Sequence, residues 1–430
     1  MRTRTRVVAS LAAAGVVALA GCGTDVDDIT VGAGKGWPAT HHDGGNASSS
    51  PVSGAESVSL SWSRPVGGPI AQPLTIGADG QMFVTTSTGN CAIFSFQMLT
   101  GRKRFCNPLG PSTIEAPTVL DGVSNVYVGD DGAVNSFNYL GQPRWRTPVA
   151  GVPVAIQFTG DGKLLTVTQS GQVDVLSRQT GGREVPTVQL LGEPDFLKYP
   201  GLTRPASGDG LDDCQVGGPR CVVANTTAVD PSTGRFFVTV WEPGKQAAAL
   251  RAMRYGNGAV TQEWSAEILT GGSATSPTLS ADGDTVYIGD NSKRLIALDT
   301  ADGATRWVQP LPWAPRGGIS VAGDLIIPAG DDGYLTALRD NGDKAEIVWE
   351  RKDLALRGTP AQTAGDIGYT VAAIGAGLNL ITFDTGTGNT VDSDPLPAAT
   401  GTTTGTSIGP EGEVVVATRL GEIFAFTPDA

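Results

Sequence analysis

After Cys22, four cysteines remain in the 430-residue sequence, and they form two pairs of residues close together in the chain. Cys91 and Cys106 flank a predicted hairpin, and Cys214 and Cys221 close the short loop Gln-Val-Gly-Gly-Pro-Arg. An even number of cysteines is typical of a disulfide framework in an exported chain. Four cysteines allow three pairings, and we predict the local one, in which each cysteine bonds to its neighbour in sequence. A zinc site is disfavoured, because neither pair has close ligand spacing and no histidine is available beside them.

The sequence has only two histidines, His41 and His42, in a stretch at 23–56 that is rich in Gly, Ser, Asp, Thr and Asn. Such a stretch cannot bury enough apolar surface to offset the entropy lost on ordering. We therefore predict a flexible tether that carries both histidines in solvent, and a metal site at the pair is the less favoured alternative. Under this prediction the folded body has no histidine, which excludes a Ser-His or Cys-His catalytic pair there.

Two acidic turns, Asp-Asp-Gly at 130–132 and again at 331–333, could suggest bound calcium. They recur at corresponding points of two repeats, so ordinary turn chemistry explains them better. The sequence therefore predicts no catalytic residue, no metal ligand and no bound cofactor.

The N-terminus has the pattern of an export signal. Three arginines precede an apolar run at 7–19 that is too short to span a bilayer. The run ends in Leu-Ala-Gly-Cys22, which resembles the bacterial lipobox, in which the cysteine becomes the first residue and carries lipid. The resemblance implies a signal peptide at 1–21, a lipid such as palmitate on Cys22, and an extracytoplasmic protein anchored to the cell membrane. An ordinary signal peptide is the alternative, and the choice between inner membrane and outer envelope stays open.

The formal net charge of the chain is −13 at pH 7. This acidic balance argues against nucleic acid as a partner and against electrostatic docking on anionic lipid. Arginine is preferred over lysine, and Ala, Gly, Val and Pro are plentiful, as in proteins of GC-rich, actinobacterium-like genomes.

A recurrent motif dominates residues 57–430. Its clearest copy, at 285–307, reads as a strand, a turn, a second strand, an Asp-to-Gly turn and a third strand that ends in tryptophan. Weaker copies follow about every 40 to 45 residues, a period typical of propeller blades. Because a unit of this size cannot bury both of its faces, the copies must stack, and the sequence predicts an all-β propeller.

We predict eight blades, with seven as the alternative because the third and fourth copies are weak. The eighth copy lacks an outer strand at the C-terminus. A strand at about 57–64 could supply it, since Trp62 lies where the outer strands of other copies carry tryptophan. Pairing this strand with the C-terminal blade would close the ring and remove two open sheet edges.

The repeat resembles the tryptophan-docking motif of quinoprotein-type propellers, Ala-x-Asp-x-x-x-Gly-x-x-x-Trp. Ala297, Asp299, Gly303 and Trp307 match the motif in full, and the other copies match it in part. The resemblance implies structural roles for these residues. The Asp accepts N–H groups of its turn, the Gly adopts a positive φ, and the Trp packs between blades.

Two functional branches share this motif. Quinoprotein dehydrogenases bind pyrroloquinoline quinone and calcium on the propeller axis, but they resemble one another in an adjacent Cys-Cys pair that this chain lacks. Non-enzymatic lipoproteins similar to the BamB-type subunit of the outer-membrane β-barrel assembly machine fit the lipobox and the repeats better. We therefore predict a monomeric, non-enzymatic scaffold that binds envelope proteins, with envelope assembly as one such role. A quinoprotein-like dehydrogenase and a glycan-binding or glycan-cleaving propeller are the alternatives.

The segment at 193–221 differs most from a generic blade, because it is long and its last part is pinned by the predicted disulfide. Binding residues concentrate on loops that a rigid scaffold holds in place. We predict that this segment contributes to a partner surface, with Phe196, Tyr199 and Arg204 as candidate contacts. Trp313 and Arg316, between the fifth and sixth repeats, are further candidates for one face of the ring.

Overall fold

The computed structural model describes residues 35–192, 210–331 and 333–429. The predicted signal peptide, Cys22 and the candidate contacts Phe196, Tyr199 and Arg204 lie outside these ranges. Within them the chain is almost entirely β-structure, and its helical parts are a 3₁₀ helix at Pro111–Glu115 and the short helix α1 at Leu211–Val216. No helix in the described ranges is long and apolar enough to pass through a membrane.

Most strands belong to four-stranded antiparallel units, which we number in chain order. Two strands precede the first unit: β1 (Ser49–Ser53) and β2 (Val58–Pro65). The first and second units contain β3 (Thr75–Ile76), β4 (Gln81–Thr85), β5 (Ile93–Gln97) and β6 (Arg102–Asn107), then β7 (Thr118–Leu120), β8 (Val126–Asp130), β9 (Ala133–Phe137) and β10 (Pro143–Pro148). The third and fourth contain β11 (Pro153–Phe158), β12 (Leu164–Thr168), β13 (Gln172–Leu176) and β14 (Val188–Gln189), then β15 (Val223–Asp230), β16 (Arg235–Val240), β17 (Ala247–Gly256) and β18 (Ala259–Thr270).

The second half of the chain continues the pattern. The short strands β19 (Ala274–Thr275) and β24 (Arg316–Gly317) pair in parallel and flank the fifth unit, which contains β20 (Thr278–Leu279), β21 (Thr285–Asp290), β22 (Arg294–Asp299) and β23 (Thr305–Pro310). The sixth and seventh units contain β25 (Ile319–Ala322), β26 (Leu325–Pro328), β27 (Tyr334–Asp340) and β28 (Ala345–Leu356), then β29 (Ala361–Ala364), β30 (Ile367–Ile374), β31 (Gly377–Asp384) and β32 (Thr390–Leu396). The eighth contains β33 (Thr403–Ile408), β34 (Val414–Thr418) and β35 (Glu422–Pro428).

The eighth unit takes its fourth strand from the other end of the chain. Strand β2 pairs antiparallel with β35, so that Val58 lies opposite Pro428 and Pro65 opposite Glu422. Pairing of β28 with β30 joins the sixth and seventh units into one sheet, and β1, which pairs in parallel with β29, is its ninth strand.

The first strands of the units lie side by side at the centre of the molecule. Contacts run in series through β3, β7, β11, β15, β20, β25, β29 and β33, and β33 also contacts β3. The second strands are rich in β-branched and aromatic residues and are buried throughout, as in β4, β8 and β34. Such strands suit a sheet that is covered on both faces by neighbouring sheets.

Aromatic residues of the outer strands dock onto the next unit. The ring of Trp264 lies against Gly303, where an added Cβ would come within 2.6 Å of it. The indole N–H of Trp264 donates to the Thr300 carbonyl at 3.0 Å. The same arrangement joins Trp62 to Gly101, Trp145 to Gly181 and Trp349 to Gly388, and Phe105 lies on Gly141 in the same way.

The fully matching motif follows this pattern with one change. Asp299 accepts the backbone N–H of Ala301 at 2.8 Å, and Gly303 has a φ of +76°. Trp307 is buried, and its indole N–H donates to the carboxylate of Asp340 at 2.9 Å in place of a carbonyl.

The N-terminal segment, residues 35–56, is ordered, and most of residues 36–50 are packed inside the protein, so the prediction of a flexible tether is wrong for this part. Trp37 and His42 are 1% and 0% exposed. Gly36 has a φ of +85°, and an added Cβ would lie 2.6 Å from the Ile76 carbonyl oxygen. Composition misled the prediction because glycine here permits close backbone approach.

The N-terminal segment crosses the centre of the molecule and hydrogen-bonds to all eight units, with Lys35 reaching Glu411 of the eighth. Its carbonyl oxygens accept backbone N–H groups from successive first strands: Pro38 from Leu120, Gly44 from Val229, Gly45 from Leu279, Ala47 from Val321 and Ser48 from Gln362, over 2.6–3.2 Å. Trp37 exchanges two backbone hydrogen bonds with Ile76 of the first unit, and Asn46 accepts from Gln157 of the third. The segment therefore fills the middle of the molecule near the carboxyl ends of the first strands.

Candidate functional site: the central cavity

A cavity of about 290 Å³ opens at the end of the molecule where the first strands begin. We call it the central cavity and call this end of the molecule the mouth end. Thr40 and His41 of the N-terminal segment contribute to its lining from inside. Its walls come from residues near the start of the first strands in six different units: Gln72, Glu115, Val154, Thr226, Ser276 and Thr404.

Helix α1 lies at the mouth of the central cavity and is held there by a disulfide. Cys214 bonds to Cys221, with their Cα atoms 5.0 Å apart, and Cys91 bonds to Cys106, so the predicted local pairing is confirmed. Gln215 reaches from α1 across the mouth, where its side-chain amide donates to the carboxylate of Glu115 at 2.7 Å. The disulfide-bonded part of the predicted partner segment therefore borders the cavity.

Charged side chains of both signs line the central cavity. Burial raises the pKa of Glu115, although the hydrogen bond from Gln215 and the charge of Arg419 oppose that rise. Arg419 also donates to the Ala71 carbonyl at 3.3 Å. Arg316 makes no side-chain hydrogen bond or ion pair with the described residues, and it is not joined to Asp331, which lines the same cavity.

Two threonine hydroxyls in the cavity wall also lack partners. Thr226 and Thr404 are each 5% exposed, and their Oγ1 atoms form no hydrogen bond with any described group. Buried hydroxyls in folded proteins are nearly always hydrogen-bonded. The wall therefore offers hydrogen-bonding capacity that the described protein leaves unused.

His41 corrects the prediction that the folded body contains no histidine. It is buried, and its Nε2 lies 3.1 Å from the Ser276 hydroxyl oxygen. Burial lowers the pKa of His41 to about 4, which makes it a weak base for activating a serine. No acidic side chain among the described residues hydrogen-bonds to the ring, so the pair lacks the third group of a triad.

Three further predictions concern Trp313, Arg316 and the acidic turn at 130–132. Trp313 is 5% exposed and packs against Gly330 and Gly333, so its predicted place on a face of the ring is wrong. Arg316 lines the cavity. In the turn at 130–132, the Asp131 carboxylate accepts the N–H of Ser112 at 3.2 Å.

Pyrroloquinoline quinone and calcium do not fit the central cavity. Its lining has no phenylalanine, tyrosine or tryptophan on which a planar quinone could stack, and the N-terminal segment fills the space beneath it. The four cysteines of the described residues form two disulfides, and the partners in each are not adjacent in sequence. In the described part of the chain, no three His, Cys, Asp or Glu side chains gather as metal ligands would.

Comparison with known sequences identifies similar proteins. Residues 224–427, from the fourth unit to the eighth, match the family model described as "Outer membrane protein assembly factor BamB". "Protein Rv3035" of Mycobacterium tuberculosis (strain ATCC 25618 / H37Rv) is 35% identical over 419 residues, which cover 95% of this chain and 100% of that protein.

Solved structures with a similar fold include proteins of both branches. BamB from Moraxella catarrhalis is 18% identical, with a TM-score of 0.60, and the match covers 86% of this chain and 100% of that one. The quinohemoprotein alcohol dehydrogenase from Comamonas testosteroni is 14% identical, with a TM-score of 0.63, and the match covers 92% and 81%. At such identities the likeness shows the fold alone. The chain is a PQQ-like β-propeller, which confirms the predicted fold class.

Proposed function

The chain belongs to the same family as Protein Rv3035, and from that relationship and the geometry of the mouth end we propose an extracytoplasmic lipoprotein scaffold that binds another envelope protein. The two disulfides are typical of a compartment outside the cytoplasm. The match to a BamB-type model supports a protein-binding role, because propellers of that branch act through contacts.

We propose that the eight four-stranded units are the blades of one closed ring. Two observations support this. The first strands contact one another in series from β3 to β33, and β33 contacts β3. The Trp62 of β2 docks on Gly101 of the first unit, as Trp264 of the fourth unit docks on Gly303 of the fifth. The eighth unit is therefore joined to the first by the contact that joins other neighbours.

The observation that carries the proposed function is the position of α1 and its disulfide at the mouth of a cavity that the N-terminal segment closes from inside. Because the cavity is closed at its inner end, it does not form a channel through the protein, and a partner would contact it from the mouth end. Val216 of α1 and Leu420 beside Arg419 are 40% and 71% exposed. These two side chains would lie in the contact area of such a partner, since the buried centre of a protein interface is more apolar than its rim.

The path of the chain is compatible with a lipid anchor that leaves the mouth end free. Lys35 lies thirteen residues after Cys22. Its ammonium group is 3.2 Å from the carboxylate of Glu411, in the turn between β33 and β34. That turn follows a first strand and so lies at the end opposite the mouth. A lipid on Cys22 would thus hold the propeller from the opposite end, with the mouth end facing a partner.

A photo-crosslinking amino acid at position 216 tests the partner surface. We expect the full chain carrying it in its own cells to crosslink reproducibly to one envelope protein. Val123, also exposed, lies in the turn between β7 and β8 at the opposite end and is the matched control position. Crosslinks from 123 but not from 216 would place the partner surface elsewhere, and none from either position would count against the scaffold.

The anchor is tested by replacing Cys22 with alanine. We expect the unaltered chain to incorporate an alkynyl fatty acid and to sediment with membranes. The variant should lose both properties while its fold is retained. Labelling of the alanine variant would show that the lipid is carried at another position.

A further inference from the structure

We propose that the central cavity binds a small carboxylate-bearing ligand, with Arg316 as its cationic contact and the hydroxyls of Thr226 and Thr404 as additional donors. This inference goes beyond the scaffold function, because it requires no protein partner. It rests on unused hydrogen-bonding groups that share one cavity of limited size.

Arg316 is a positively charged side chain of the cavity lining that forms no ion pair with a described residue. Its guanidinium is half-buried, lines the cavity and forms no ion pair with a described carboxylate. A guanidinium partly removed from water is stabilised by a partner, and its planar fork matches both oxygens of a carboxylate. The second cation of the lining, Arg419, already acts on Glu115, since its charge opposes the rise of the Glu115 pKa.

The two hydroxyls extend the site around Arg316. Thr226 comes from the fourth unit and Thr404 from the eighth, whereas Arg316 lies just before the sixth. Both hydroxyls are buried and without a described partner, which is unfavourable unless a ligand or water supplies one. A ligand that reaches from Arg316 towards either hydroxyl would satisfy groups that the described protein does not satisfy itself.

The size of the cavity limits the ligand. A volume of about 290 Å³ lies at the lower end of the range for small-molecule sites. It suits a small organic acid or the last residues of a peptide, and both present a carboxylate. Glu115 and Asp331 in the lining disfavour ligands that carry negative charge at several distant points.

Calorimetric titration of the full chain in detergent tests the proposal with three probes. These are succinate, N-acetyl-Ala-Ala with a free C-terminal carboxylate, and the C-terminal amide of that peptide. We expect at least one carboxylate probe to bind, and the amide to bind at least about tenfold more weakly than its acid. Tighter binding of succinate would identify a free organic acid as the natural ligand, and tighter binding of the peptide acid would identify a chain terminus.

Variants of the chain show whether the cavity is the binding site. Arg316→Gln should weaken binding at least about tenfold, because it removes a charge-assisted contact. Arg339→Gln is the matched control: it makes the same change on an exposed arginine that pairs with Asp324 at the opposite end. Thr226→Val and Thr404→Val keep the side-chain shape and should weaken binding without lowering thermal stability.

The proposal is overturned if no carboxylate probe binds at about 10 mM, which is above the Kd of even weak specific ligands. It is also overturned if Arg316→Gln binds as tightly as the unaltered chain. Neither result affects the scaffold function, which is measured by crosslinking from position 216.

Discussion

At the scale of single residues, the contact between Trp264 and Gly303 shows how one blade is fixed to the next. The glycine adopts a φ of +76°, and the indole ring occupies the space where a side chain would lie. The motif therefore needs glycine for two reasons, one conformational and one steric. These two contributions can be separated by experiment, because other glycines have the same conformation in open space.

We expect Gly303→Ala to destabilise the protein more than Gly283→Ala. Gly283 has a φ of +78° and nothing within 4 Å of an added Cβ, so it reports the conformational penalty alone. That penalty is about 1–2 kcal/mol for a left-handed residue. At Gly303 the methyl group would also meet Trp264 at 2.6 Å. Urea unfolding of both variants measures the difference in free energy of unfolding.

A double-mutant cycle identifies the partner of the added methyl group. Gly303→Ala combined with Trp264→Ala should cost less than the sum of the single changes, because the clash needs both side chains. Equal penalties at 303 and 283 would show that the tryptophan moves aside freely and does not fix the packing of the two blades.

The motif residues were accessible to sequence reasoning, whereas the cavity residues were not. One turn and one hairpin fix the spacing of the motif residues Ala297, Asp299, Gly303 and Trp307. A short stretch of sequence is therefore enough to predict their arrangement. The cavity residues come from many different units and from the N-terminal segment, and the arrangement of the units brings them together. The available signal was consecutive threonines at the start or in the middle of first strands, as at 402–404 and 226–227.

At the scale of elements, backbone hydrogen bonds tie the N-terminal segment to the first strands around it. Its carbonyl groups accept the N–H groups of Leu120, Val229, Leu279 and Val321 from four first strands. A rule based on composition counts apolar side chains and does not detect these bonds. The prediction of a tether is wrong at 36–50 for this reason, and the prediction that the folded body has no histidine is wrong as well, because His41 and His42 are buried there.

We expect hydrogen exchange to show that this segment is part of the fold. The amides of Leu120, Val229, Leu279 and Val321 should exchange slowly in the full chain, because each donates to a carbonyl of the buried segment. In a chain shortened to begin at residue 57, the same four amides should exchange much faster. The amide of Ile288 in the middle of β21 is the control and should change less. Rapid exchange of the four amides in the full chain would show that the segment does not protect them and is a flexible tether.

His41 makes the buried segment sensitive to acid. Burial lowers its pKa to about 4 in the folded protein, whereas the unfolded chain takes up the proton near the ordinary value of about 6.5. The unfolded state therefore binds more protons between these values, so stability is highest above pH 6.5 and falls as the pH drops towards 4. The contribution amounts to about 2 kcal/mol between pH 7 and pH 5.

We expect His41→Gln to lose about 2 kcal/mol less stability than the unaltered chain between pH 7 and pH 5, because glutamine takes up no proton. Buried carboxyl groups such as Glu115, whose pKa is raised, act in the opposite direction but are common to both proteins. Guanidinium unfolding at the two pH values measures the difference. An identical loss in both proteins would mean that His41 is protonated equally in the folded and unfolded states.

At the scale of the whole molecule, the repeat predicted the fold class because every blade is built from the same local pattern. The number of blades is harder to predict from the sequence, since two copies of the repeat depart from the pattern. The outer strand of the third unit has only two residues, Val188–Gln189, and the fourth unit has an outer strand of twelve, Ala259–Thr270. The pairing of β2 with β35 joins segments more than 350 residues apart, and the sequence indicates it through two features: the eighth copy lacks an outer strand, and Trp62 lies where other outer strands carry tryptophan.

If the ring is closed by β2, a covalent bond between β2 and β35 should stabilise the entire propeller. Ser59 lies opposite Thr427 in the register of the two strands, and neither side chain is part of the core. Facing residues of antiparallel strands have the separation that a disulfide needs. The bond would also close a loop that spans nearly the whole domain, which restricts the unfolded chain strongly.

We expect the oxidised double variant Ser59→Cys, Thr427→Cys to gain about 2–5 kcal/mol in free energy of unfolding. The reduced form of the same variant is its control, because it differs only in the bond. A gain that appears in a single unfolding transition would mean that all blades unfold together once β2 leaves β35. If oxidation instead stabilised the eighth unit alone, in a separate transition, the blades would be independent and β2 would be an edge strand of one sheet. Unfolding of the oxidised variant thus distinguishes a ring that β2 closes, whose blades unfold together, from adjacent sheets that unfold independently.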